Sequence, residues 1–173
     1  MKRFLITILA VGFCGTLNAQ VVKTSEHPFF KAMLGNCVEK GKLLLPGASE
    51  PMPMEITMNL KPALDGVWVQ EDGEAVSPKF SFKFRWMFRV VKQQDGEIVI
   101  ARFITSQGQV QDYMGSFSDE KTLVLQRKTK EGNYQTTVAQ IAADKWTITT
   151  LFQPTGSDKP ITIYQSEKTK AGA

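Results

Sequence analysis

The sequence predicts an all-β protein, an antiparallel up-and-down barrel of about nine to ten strands preceded by one short helix. Three observations lead there. Twofold alternation of apolar and polar residues runs through almost all of Asn36 to Ser166, and that period puts one face of a strand in a core and the other in water. Short turn signals such as Pro46-Gly47, Asp65-Gly66, Asp95-Gly96 and Gln107-Gly108 break the alternation at close intervals. No gap between strands has room for a crossover helix, so consecutive strands pair antiparallel. Ten strands in an open sheet would expose long edges, and closing the sheet removes them.

Residues 1–19 stand apart from this pattern. Lys2 and Arg3 give a positive start, Phe4 to Cys14 is apolar apart from Thr7 and Gly12, and Leu17-Asn18-Ala19 ends on a small residue before Gln20. That order predicts a secretory signal peptide. The apolar run is shorter than the roughly 20 residues of a membrane span. A lipoprotein signal with Cys14 as the lipidated residue would want a small residue before it, and Phe13 stands there. The expected mature chain is residues 20–173, a single domain, exported to the periplasm or secreted, with no transmembrane segment. Cleavage removes two cations and no acid, lowering the formal charge from +4 to +2, and leaves Cys37 as the lone cysteine. One cysteine makes no internal bridge, so stability is expected to come from the core. With 42 % hydrophobic and 22 % charged residues, a chain of 173 can build one.

The elements follow in order. His27-Pro28 opens a short helix, since proline suits its first position; Phe29, Phe30, Met33 and Leu34 form its apolar stripe, and Gly35 stops it. Strands are then predicted at Asn36 to Leu45, Met54 to Lys61, Val67 to Glu71, Lys79 to Lys92, Glu97 to Thr105, Gln109 to Phe117, Thr122 to Lys128, Tyr134 to Ile141, Lys145 to Gln153 and Ile161 to Ser166. The helix is expected to plug one barrel end with Phe30 and Leu34.

A helix followed by Leu34-Gly35-Asn36 opening a first strand, and then a meander of strands, resembles a family of lipocalin-like secreted bacterial domains of unknown function. The resemblance covers about Glu26 to Lys168 and implies a calycin-type barrel, related in shape to lipocalins and fatty-acid-binding proteins. That family often carries a tryptophan soon after the Leu-Gly pair, where this chain has Cys37. It brings no activity to transfer.

Motifs for catalysis are missing from the sequence. There is no Gly-x-Ser-x-Gly elbow, no phosphate-cradling glycine loop and no His-Glu-x-x-His helix. A single histidine excludes a multi-histidine metal site, and no cofactor is called for. A Cys37–His27 nucleophile pair is conceivable, but a helix-capping His27 and a buried apolar Cys37 account for both residues.

Lys79 to Lys92 is the most informative segment. Phe80, Phe82, Phe84, Trp86 and Phe88 alternate with Lys79, Lys83, Arg85 and Arg89, so rings and cations face opposite ways. Phe82, Phe84, Trp86 and Phe88 are the candidate lining of an apolar ligand cavity. Lys79, Lys83, Arg85 and Arg89 are the candidate contacts to an anionic envelope surface. Nucleic acid is not expected, because its binders usually mix rings and cations on one face.

A two-residue loop at Gln107-Gly108 would pair Ile104 with Gln111, and the three-residue turn Ser106-Gln107-Gly108 gives the better-matched register. It pairs Ile104 with Val110, Arg102 with Asp112 and Ile100 with Met114, matching apolar with apolar and cation with anion. If that face points inward, Arg102 and Asp112 are candidates to hold a ligand head group. The other face, with Phe103, Tyr113 and Phe117, competes for the interior. The functional expectation is an exported barrel binding a small apolar or amphipathic ligand. The alternative is a filled barrel serving the cell envelope through its basic strand.

Overall fold

The computed structural model describes residues 21–172. The expected signal peptide, with Cys14 and the cleavage point at Gln20, lies outside the described residues. A single 3-10 turn, Thr24–Glu26, precedes helix α1, Pro28–Met33. Ten strands follow: β1 (Gly35–Leu43), β2 (Met52–Ala63), β3 (Trp68–Val76), β4 (Ser81–Gln93), β5 (Gly96–Thr105), β6 (Val110–Asp119), β7 (Thr122–Lys128), β8 (Gly132–Ala142), β9 (Lys145–Pro154) and β10 (Ile161–Lys170). Each pairs antiparallel with its chain neighbours, and β1 pairs with β10, so the sheet closes into a barrel. No helix among the described residues is long and apolar enough to cross a membrane.

The helix forms as its residues dictate. Pro28 occupies the first helical position, where its missing N–H costs nothing. Phe29, Phe30 and Met33 are buried, and Gly35 takes φ +111° to swing the chain into β1. Phe30 meets Phe88 at 5.3 Å and Phe29 meets Phe117 at 5.4 Å between ring centroids. Thr24 fastens the preceding turn: its hydroxyl donates to the Val67 carbonyl at 2.7 Å and accepts the Val90 N–H at 2.8 Å. Val69, Val90, Val99, Leu123 and Trp146 join the helix side chains in the tightest part of the core. One end of the barrel is therefore packed shut.

Several strands run further than the alternation predicts, β3 and β10 the most at one end. β3 continues past Glu71 to Val76, through the turn-like pair Asp72-Gly73. Gly73 stays in the ladder opposite Phe84, and a Cβ there would lie 2.5 Å from Phe84 Cζ. Its missing side chain is the space that the phenyl ring uses. β10 continues past Ser166 to Lys170, and this extension brings Lys168 into the interior.

Paired residues in a sheet share a face, so β4 sets the phase of β5 and β6. Phe84, Phe88 and Val90 pair with Thr105, Ala101 and Val99, all of which face inward. The register of β5 with β6 is the one expected: Ile104 with Val110, Arg102 with Asp112, Ile100 with Met114. That face points outward, with Ile100, Val110 and Met114 exposed. The expectation that Arg102 and Asp112 hold a head group inside the barrel is thereby corrected. Their side chains are 54 % and 62 % exposed on the outer surface and pair with each other there. Phe103 and Tyr113, one residue on, take the interior because only their phase continues that of Phe84 and Phe88.

Candidate functional site: a cavity in the barrel

The half of the barrel away from α1 is not filled. It holds a cavity of about 310 Å³, at the small end of the ~300–1,000 Å³ typical of ligand pockets. Phe82, Phe84, Trp86 and Phe88, all candidates from the sequence, line it together. Their even spacing on β4 aims every ring inward, while the Cβ-free Gly73 lets Phe84 lie against β3. Trp86 sits at the middle of an aromatic cluster, 4.7 Å from Phe103, 5.2 Å from Tyr113 and 5.5 Å from Phe88 by ring centroid. Such pairs each add roughly 0.5–1.5 kcal/mol beyond burial and hold the wall rigid. Met54 and Ile56 of β2 and Val138 and Ile148 of β8 and β9 complete the apolar lining.

The deep end of the cavity is polar. Glu39 on β1, Glu71 on β3 and Lys168 on β10 all line it, and each is only 5 % exposed. Lys168 Nζ donates to Glu71 Oε2 at 2.9 Å and stands 3.9 Å from Glu39 Oε2. Glu39 Oε1 accepts from the Ser166 hydroxyl at 2.6 Å and from the Tyr164 hydroxyl at 2.5 Å. Burial pushes the Glu71 carboxyl above its ordinary pKa, and the nearby Lys168 ammonium offsets only part of that rise. For Lys168 burial acts downward, but the two carboxylates outweigh it and hold the ammonium above its ordinary value. Burial, reinforced by Glu39, raises the Tyr164 phenol as well. Lys168 and Tyr164 therefore remain protonated donors at neutral pH.

Sequence reasoning missed this cluster. Glu71 is in phase with the inward Val69 and Ala75, a signal hidden by ending that strand at Glu71. Lys168 lay beyond the expected strand end. Glu39 carries no such signal, because β1 alternates weakly.

The remaining candidates separate. Lys83, Arg85 and Arg89 stand on the outer face of β4, and Lys79 in the turn before it. Arg85 Nε pairs with Asp72 Oδ1 at 2.6 Å, and Lys61 Nζ reaches Asp72 Oδ2 at 3.2 Å. Lys83 faces Glu74 in register, and the Arg89 guanidinium lies 5.8 Å from the Trp68 ring centroid. His27 and Cys37 have different partners. The His27 ring stacks on Phe117 and reaches Glu97 Oε2 at 3.2 Å. The buried Cys37 thiol points at the Met33 carbonyl at 3.7 Å, and burial raises its pKa, which disfavours the thiolate a nucleophile needs.

A closed ten-strand antiparallel barrel with an apolar cavity and a helix at one end is a lipocalin-like fold. Among solved structures the chain is similar to the S-type phycobiliprotein lyase from Guillardia theta. The TM-score is 0.60 at 10 % sequence identity, covering 84 % of this chain and 92 % of that one. At that identity the likeness is one of fold. No family model and no curated protein matches the chain.

Proposed function

We propose that this protein is exported and holds a small apolar or amphipathic ligand inside its barrel. The cavity carries the reading: about 310 Å³ bounded by Phe82, Phe84, Trp86 and Phe88, with Glu39, Glu71 and Lys168 gathered at its deep end. An apolar space of this size stays empty at a cost, because the lining rings lack partner atoms on one side. A ligand of roughly ten non-hydrogen atoms, at about 30 Å³ for each water-sized group, would supply them. The likeness in fold to a phycobiliprotein lyase, a protein named for its action on phycobiliproteins, is compatible with this reading. The alternative, an envelope protein acting through a basic outer strand, has less support, because Arg85 and Lys83 already face Asp72 and Glu74.

Native mass spectrometry of protein purified from its own host tests the reading, together with a fluorescence screen of lipids and metabolites. A co-purified small molecule is expected, as is an emission change that Trp86→Phe abolishes. A bare protein mass together with a silent screen would refute the cavity as a ligand site.

A further inference from the structure

The charges at the deep end of the cavity do not balance. Glu39 and Glu71 place two carboxyl groups beside a single ammonium, Lys168, with all three nine-tenths or more buried. Lys168 is already spent on them, at 2.9 Å and 3.9 Å. The two carboxyl groups keep acceptor capacity in reserve. Among the described residues, neither Glu71 Oε1 nor Glu39 Oε2 receives a hydrogen bond, while both residues line the cavity. An unpaired buried anion is costly, and the cost is removed by a proton or by a partner that brings positive charge.

We propose that the deep end of the cavity is a subsite for a cationic or N–H-donating head group, such as a primary ammonium, received by Glu71 and Glu39. The proposal rests on the barrel being a carrier of a small ligand and narrows that ligand by charge. The head group enters first and the apolar tail lies along the β4 rings. The faces of Trp86 and Phe103 tolerate a passing cation, since their π clouds attract one. A carboxylate head would instead meet two carboxyl groups and a lysine with no free charge to offer. The inward-facing Arg127 is not part of this end. Its guanidinium lies 4.8 Å from the Tyr134 ring centroid and 5.8 Å from that of Tyr113, beside the turn that joins β7 to β8 at the far rim.

Proton and cation compete for the same place. The groups facing Glu71 are Lys168 and Tyr164 from β10, Glu39 and Cys37 from β1, and Asp72 beside it on β3; β4 presents only rings and β2 only apolar side chains. Burial raises the Glu71 pKa, so its proton is present at lower pH and leaves as pH rises. Cation affinity must then fall as pH falls.

Three probes of one tail length test this: octylammonium, octan-1-ol and octanoate, titrated against the full protein by calorimetry and tryptophan emission at pH 7. Octylammonium is expected to bind at least tenfold more tightly than octanol, and octanoate most weakly. Glu71→Gln should cut octylammonium affinity about tenfold and leave octanol within twofold. In the unsubstituted protein, octylammonium should weaken severalfold from pH 8 to pH 5 while octanol stays level, a readout that survives if the variant fails to fold. Octanoate binding as tightly as octylammonium, or an octylammonium affinity indifferent to pH and to Glu71→Gln, overturns the subsite and leaves the carrier reading standing. Failure of all three probes to bind overturns both.

Discussion

Phe84 and Phe30 are the same residue type on the inside of one barrel, buried to 8 % and 0 % exposure, yet they differ in what lies beyond the ring. Phe30 is packed against Phe29, Phe88 and Phe117 on all sides. Phe84 touches Phe103 and Gly73 on its flanks and faces the cavity. Phe30→Ala is expected to cost about 3–5 kcal/mol, the range for emptying a filled site. Phe84→Ala should cost less, because part of its surface has no partner to lose. Chemical denaturation of the two variants checks the order, and equal losses would mean that the cavity wall is packed as tightly as the plug. Lys168 behaves differently again. Lys168→Met leaves Glu39 and Glu71 buried without a cation, and about 3–5 kcal/mol of stability should be lost. The Lys168 pKa is raised by folding, so its contribution is present at neutral pH. It is lost as pH rises through the folded value, above the ordinary ~10.4 of a lysine. Unfolding midpoints should therefore fall above about pH 10 in the unsubstituted protein and change less in Lys168→Met.

At the scale of the element, the β5–β6 hairpin shows how far alternation reaches. Its register followed from matching Ile104 to Val110 and Arg102 to Asp112 across the turn. Its phase did not, because both faces of these strands carry large apolar residues and a hairpin by itself has no inside. The phase comes from β4, where rings and cations separate cleanly, through the pairs Phe84–Thr105 and Phe88–Ala101. β4 was legible for that reason, and β3 was cut short because Asp72-Gly73 reads locally as a turn. Nothing local says that the phenyl ring of Phe84, on the next strand, needs the missing Cβ. The consequence for Arg102 is direct. Its ion pair with Asp112 is on the surface, with Nε–Oδ1 at 2.6 Å and Nη2–Oδ2 at 3.1 Å. Surface pairs contribute little, so Arg102→Ala should leave ligand affinity unchanged and the unfolding midpoint within experimental scatter. A loss of affinity for an anionic probe in that variant would contradict the outward phase.

At the scale of the molecule, the barrel itself was the most legible feature, since ten alternating segments with tight turns have few other ways to hide their edges. The cavity was not legible. Alternation assigns Phe82, Phe84, Trp86 and Phe88 to one face but not the distance to the opposite wall, which depends on strand tilt and on where α1 stops. Export is a molecular-scale expectation that the sequence alone supports. Mass spectrometry of the N-terminus in the native host should find Gln20 first, and an intact Met1 chain in the cytoplasm would refute it.

The closure of the barrel also orders events in time. Every ladder but one joins strands adjacent in sequence, and the exception is β1 with β10, whose pairs include Glu39 with Lys168. The hydrogen bonds that build the polar end of the cavity span the same interval: Glu39 to Tyr164 and Ser166, and Glu71 to Lys168, separated by 125, 127 and 97 residues. Contacts so distant along the chain carry the largest loop-closure entropy and are expected late in folding. The hairpins bearing Phe84 and Trp86 can assemble before the seam zips, whereas the carboxyl and ammonium groups meet only as it does. Recognition is thus the last property the chain acquires. In a refolding experiment, the capacity to bind an octyl probe should return with the slowest phase, after the far-ultraviolet strand signal has recovered.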